Sequence, residues 1–181
     1  MNIQSLRIQS TNAIGLVGIV LGILAVAVEW VVQGSMGLAS VAGLGSAAAL
    51  AATYLVARNS QSFRYVAVTV LMGEVMALLV ALRGNPLQVD IHMMFFAALA
   101  LCALMYDVRA ILVGTVLVAV HHLGLGLMME DLVFYGGGSL VRVLMHAVIL
   151  LGEAAALIWL TVTTQKLMMT VDSESKVAHE M

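Results

Sequence analysis

Few residues in this chain have chemistry to offer, and they are concentrated. His92, His121, His122 and His146 lie within or beside long apolar runs, and Asp90 stands two residues before His92. Arg142, His146 and Glu153 recur at spacings of four and seven, which places them on one helical face. Glu74 sits alone in another apolar run. Ionisable groups in such surroundings are costly, so they need a partner or a function. Neutral imidazoles from two helices can ligate haem iron from both sides, with the porphyrin between apolar helices. Arg142 is then placed to pair with a propionate of haem b. The same histidines, with Asp90, Glu74 or Glu153, make a donor set for copper or zinc, and Met93, Met94, Met128, Met129 and Met145 suit cuprous copper. No HExxH-type spacing is present, so the motif selects neither chemistry. The competing reading is packing. Each imidazole then bonds a carbonyl across a helix interface, Glu74 and Glu153 bond neighbouring helices, and Asp90 caps a helix.

The elements that must position these groups follow from composition. The chain has 62% apolar and 10% charged residues, with a mean hydropathy of +1.07. Soluble domains carry about a quarter charged residues, so the composition implies an integral membrane protein. Apolar runs predict six helical spans, at about 11–33, 38–57, 64–83, 90–106, 109–129 and 138–165. Residues 1–10 and 166–181 are polar ends flanking this 11–165 domain. The first run is too long for a signal-peptide core and is expected to be retained as an anchor. Cys102 is the single cysteine, so no disulfide forms within one chain.

Six spans put both ends on one side. Arg7, Arg58, Arg64, Arg109, Lys166 and Lys176 fall on that side, and Arg83 and Arg142 on the other. The asymmetry predicts cytoplasmic termini. His92 then lies near the outer end of the fourth span. His121 and His122 lie about 10–12 Å short of the outer end of the fifth, and His146 about 12 Å below the start of the sixth. Glu74 and Glu153 fall near the middle, and His179 is in the tail. Adjacent His121 and His122 point about 100° apart, so one coordinates while the other faces a neighbouring helix or orients the first. Gly15, Gly18, Gly22, Gly43 and Gly45 read as close helix packing. The glycines at 136–138 read as a flexible loop without the context of a phosphate loop. No nucleophile triad and no basic aromatic surface for nucleic acid can be assembled.

The run GNPLQVDIHMMFFAALALCALMYDVRAILVGTVLVAVHHLGLG, followed by GGGSLVRVLMHAVILLGEAAALIWL, resembles the amino-terminal membrane region of a group of bacterial methyl-accepting chemotaxis proteins. Related regions precede some diguanylate cyclase domains. The likeness covers about 64–165, and its specific parts are the Asp-x-His-x-x-Phe-Phe-Ala run and the His-His pair. The resemblance implies a sensory input module in the bacterial inner membrane that passes a signal through its last helix. It also implies a homodimer and a cytoplasmic signalling domain downstream of this chain, which ends at Met181. Asp90, His92, His121, His122, His146 and Glu153 match positions of that group, whereas Asn85 stands where such sequences often carry histidine. The expectation is thus a non-enzymatic sensor with a haem b, or a copper or zinc ion, among spans four to six. A small membrane cytochrome moving electrons between quinone and an outer acceptor would use the same histidines plus a quinone pocket with Glu74. A transporter would line its path with Glu74 and Glu153, but the spans show no inverted repeat.

Overall fold

Long apolar runs without proline leave the backbone one way to satisfy its N–H and C=O groups away from water, which is to coil into helices. The structure, a computed structural model, describes residues 3–180. The side chains of Asp172 and residues 175–180, and with them Lys176 and His179, lie outside the described residues. The elements are α1 (Ile3–Gln33), α2 (Leu38–Ala57), α3 (Gln61–Ala81), α4 (Gln88–His92), α5 (Met94–Ala103), α6 (Val108–Met128) and α7 (Leu140–Glu180), with a 3-10 turn at Glu130–Leu132. No strand occurs among the described residues. Among the described residues, five helices are long and apolar enough to cross a membrane: α1, α2, α3, α6 and the Leu140–Val171 part of α7.

The expected fourth span, 90–106, takes a different form. It is two short helices of 5 and 10 residues that meet at Met93. The break has a local cause. Met93 N–H bonds Asp90 O at 3.1 Å and Phe96 N–H bonds Met93 O at 3.2 Å, three-residue spacings that tighten the winding. The stretch from Gln88 to Ala103 reaches about 24 Å, less than the ~30 Å of a hydrocarbon core. It nonetheless runs from one end of the bundle to the other. At its start, Gln88 Nε2 donates to Leu79 O (3.2 Å) and Asp131 O (3.1 Å). Past its end, Tyr106 O accepts from Arg7 Nη2 at 2.7 Å and from Gln165 Nε2 at 2.6 Å. The start of α1, the α5–α6 turn and the Gln165 level of α7 therefore share one end. At the other end Gln33 Nε2 donates to Ala81 O (3.3 Å) and Arg83 O (3.0 Å). Two helix limits also differ from the sequence reading. α1 takes in the polar start from Ile3, and α7 runs on without interruption through the 166–180 tail.

α3 is the central helix, packed between α1 and α2 and also against α4, α5 and α6. Its Leu71, Met72, Val75, Leu78 and Leu79 are fully enclosed. Small residues allow α1 and α2 to close on it. A Cβ on Gly22 would stand 2.9 Å from Glu74 Oε1 and 3.1 Å from Gly43 O. Gly18 and Gly43 also make close approaches, at 3.2 and 3.1 Å, whereas a Cβ on Gly15 would meet only ordinary contacts at 3.7 Å and Gly45 faces open space.

Two acidic groups are used as structural ties. Glu29, which reads in the sequence as an ordinary near-surface residue, is 4% exposed. Its Oε2 accepts from Gly37 N (2.9 Å), Ser40 N (2.7 Å) and Ser40 Oγ (2.5 Å), and its Oε1 accepts from Ala39 N (3.0 Å). One carboxylate thus caps the first turn of α2, whose N–H groups have no intrahelical acceptor. Asp107 caps α6 by accepting from Arg109 N at 3.0 Å, and its other oxygen holds Arg64 of α3 in a buried ion pair. Replacing Glu29 by Ala strands three backbone donors and should cost roughly 2 kcal/mol. Unfolding of purified E29A in mixed detergent micelles measures the loss, and wild-type stability would refute the capping role.

Candidate metal centre

The four histidines of the apolar runs arrive from three elements. His92 closes α4 at the Met93 break, His121 and His122 lie in the last two turns of α6, and His146 is two turns into α7. Backbone carbonyls orient three of them. His122 Nδ1 bonds Val118 O at 2.8 Å and His146 Nδ1 bonds Arg142 O at 2.8 Å, both one turn back along their own helices. His92 Nδ1 bonds Val133 O, in the loop before α7, at 3.2 Å.

Those three bonds set the tautomers. A carbonyl oxygen only accepts, so each Nδ1 carries the hydrogen and each neutral ring keeps its lone pair on Nε2. Yet His92 Nε2 and His122 Nε2 stand 2.8 Å apart. Two lone pairs at that distance repel, and the contact becomes favourable only with a proton or a cation shared between them. One ring nitrogen each of His92, His122 and His146 lies within 4.8 Å of the other two. Imidazoles whose Nδ1–H groups are held by carbonyls while one nitrogen of each ring converges on the others form a set that could hold a metal ion.

Aromatic rings fix the cluster from outside. Phe134 stacks on His92 with centroids 5.5 Å apart and planes 23° from parallel. Phe95 meets the same imidazole edge-on at 5.6 Å. The Arg142 guanidinium lies 5.4 Å from the Phe134 centroid. It also donates to Gly137 O and, at 3.4 Å, to Tyr135 O. Arg142 therefore clamps the loop that delivers Phe134 and Val133. That loop needs its glycines. Gly136 and Gly137 have φ of +77° and +94°, a region that L side chains avoid. A Cβ on Gly138 would lie 2.8 Å from Gly126 O. Glu130 closes the turn by accepting from Gly138 N at 2.6 Å. The glycine run is thus a defined turn rather than a slack connection. A cavity of about 210 Å³ opens beside the histidines, lined by Gln88, His92, Met93, Phe134, Arg142 and His146 among others.

The structure brings together His92, His122 and His146, with Arg142 in the wall of the same cavity. His121 touches the His122 ring at 5.3 Å between centroids but is not one of the converging set, and Asp90, Glu74 and Glu153 are placed elsewhere. His121 is 3% exposed and turned toward Phe95, with 5.3 Å between centroids. Neither of its ring nitrogens finds a partner among the described residues. Asp90 is exposed, and no cap bond from its side chain supports α4. Asn85 instead accepts from Leu87 N at 3.0 Å. Glu74 is bonded to Ser46 in the notch between Gly22 and Gly43, away from the cluster. Glu153 lies about 10 Å further along α7 than His146, with its Oε2 buried and unpartnered among the described residues. Sequence reasoning missed Phe134 and the Val133 carbonyl, and it singled out Phe95 only as part of the Asp-x-His-x-x-Phe-Phe-Ala run, with no role assigned. The phenylalanines carry no polar signal, and a backbone oxygen has no sequence signature.

Truncating Phe134 to Ala should cost on the order of 3 kcal/mol and release the His92 ring. The check is a melting curve together with the histidine ring resonances, and unchanged His92 shifts would count against the stacking role. Comparison of the chain with protein-family models, with curated proteins and with solved structures finds no match.

Proposed function

We propose that this chain is a membrane-embedded sensory input module that holds a single transition-metal ion on His92, His122 and His146. Occupancy or redox state of the ion biases α7, which carries one ligand and leads out of the bundle. The observation that carries this reading is the 2.8 Å contact between two ring nitrogens whose lone pairs face each other. A cation is the partner that satisfies both, and the third imidazole completes three-quarters of a tetrahedral shell with an open fourth position. Imidazole donors suit copper and zinc. Met93, which lines the same cavity, adds a soft thioether that favours cuprous copper. Haem b is supported less well. His92 and His122 meet edge to face at 4.9 Å between centroids, and a porphyrin ligated by both would have to pass between them.

The setting proposed is the bacterial inner membrane, crossed six times with both ends in the cytoplasm. The cation asymmetry supports it, as does the gathering of Arg7, Arg64 and Arg109 around one cavity, with the Arg83–Asp131 pair (3.8 Å) between the α3 end and the loop after α6. The likeness to chemoreceptor membrane regions supports a sensing role, a homodimer and a signalling domain downstream.

Elemental analysis and an absorption spectrum of the purified protein test the reading together. About one copper or zinc per chain is expected. His92→Ala, His122→Ala and His146→Ala should each lose the ion, while His121→Ala retains it. A Soret band would replace the ion with haem. Metal content indifferent to all three substitutions would sink the site.

A further inference from the structure

A second polar cavity lies away from the histidines, at the end of the bundle where Arg7 meets the α5–α6 turn. It has a volume of about 330 Å³ and is lined by Gln4, Arg7, Gln61, Arg64, Asp107 and Arg109. Three guanidiniums face it from three elements: α1, α3 and the first turn of α6. Asp107 is the single carboxylate among the lining residues and is already committed to Arg64 and to Arg109 N. The cavity therefore carries an excess of two positive charges. Arg64 sharpens the point. Its side chain is 8% exposed, and its Nε finds no acceptor among the described residues. A buried guanidinium N–H left without an acceptor is costly. Arg7 applies Nε (3.1 Å) and Nη2 (2.7 Å) to Tyr106 O, which anchors its guanidinium at the rim. Arg109 is exposed and able to swing over the opening. The N-termini of α3 and α6, each 21 residues long, open at this end. Their dipoles add further positive potential.

We propose that this cavity is a binding site for a phosphate-type anion, held by Arg7, Arg64 and Arg109. Guanidinium forks match phosphate oxygens in pairs. The anion neutralises charge that Asp107 leaves over and gives Arg64 Nε its missing acceptor. Two sources share this chemistry. One is the headgroup of an anionic phospholipid at the membrane surface, and the other is free phosphate. The inference does not depend on the histidine centre, and either can fail without the other.

The test uses the full chain. Its melting temperature is followed in phosphatidylcholine nanodiscs with and without phosphatidylglycerol. In detergent it is followed with inorganic phosphate against chloride at matched ionic strength. Stabilisation by phosphatidylglycerol identifies a lipid headgroup, and stabilisation by inorganic phosphate identifies a free anion. In either case Arg109→Gln, at an exposed position, should weaken the response at least tenfold, and Arg7→Gln should do the same. No stabilisation in either arm overturns the site, as does a response that Arg109→Gln and Arg7→Gln leave intact.

Discussion

Where helices are apolar enough to cross a membrane, a polar group has no water to turn to, and every donor and acceptor must be matched inside the chain. The architecture follows from how this is done. Glu29 serves the start of α2, Asp107 serves both the start of α6 and Arg64, and Gln88 ties α3 to the loop after α6. Tyr106, with a left-handed φ of 48°, presents one carbonyl to both Arg7 and Gln165. Such bonds hold the ends of the helices while small residues along α1 and α2 set how closely the middles approach α3.

Against that background the unmatched groups stand out. The lone pairs of His92 and His122 face each other, neither ring nitrogen of His121 finds a hydrogen-bond partner among the described residues, and Arg64 keeps one N–H without an acceptor. The two clusters lie toward opposite ends of the bundle and differ in kind. One presents lone pairs, which suit the cation proposed there, and the other presents N–H groups, which suit the proposed anion. Aromatic walls surround the first, so its donors are held in place before anything binds. Arginines at graded exposure surround the second, so its outermost member is free to close on a ligand.

Much of this was legible in the residues. Hydropathy and charge point to helices long and apolar enough to cross a membrane, and apolar runs locate the long helices to within a few residues, apart from the earlier start of α1 and the later end of α7. The histidines stand out as a set because ionisable groups are rare in such runs. Other features depend on contacts distant in sequence. The choice between His121 and His122 rests on Val118 O and on Phe95, neither of which marks itself. The break at Met93 has no proline or glycine to announce it. Glu29 looks like a surface residue until Gly37 and Ser40 fold back over it. Arg64 and Asp107 sit in separate turns, and their pairing is decided by how α3 and α6 pack.

One helix joins the two ends. α7 is 41 residues long, with a single glycine, Gly152, and no proline. It therefore has no built-in hinge to absorb a displacement. From His146 to its last described turn is roughly 50 Å of continuous helix. Over such a lever arm a tilt of a few degrees at the imidazole becomes several ångström at the tip, and an axial rotation arrives undiminished. If the histidine cluster holds the proposed ion, a bond-length adjustment there would be magnified by the stiffness of the backbone alone, with no relay of side chains in between.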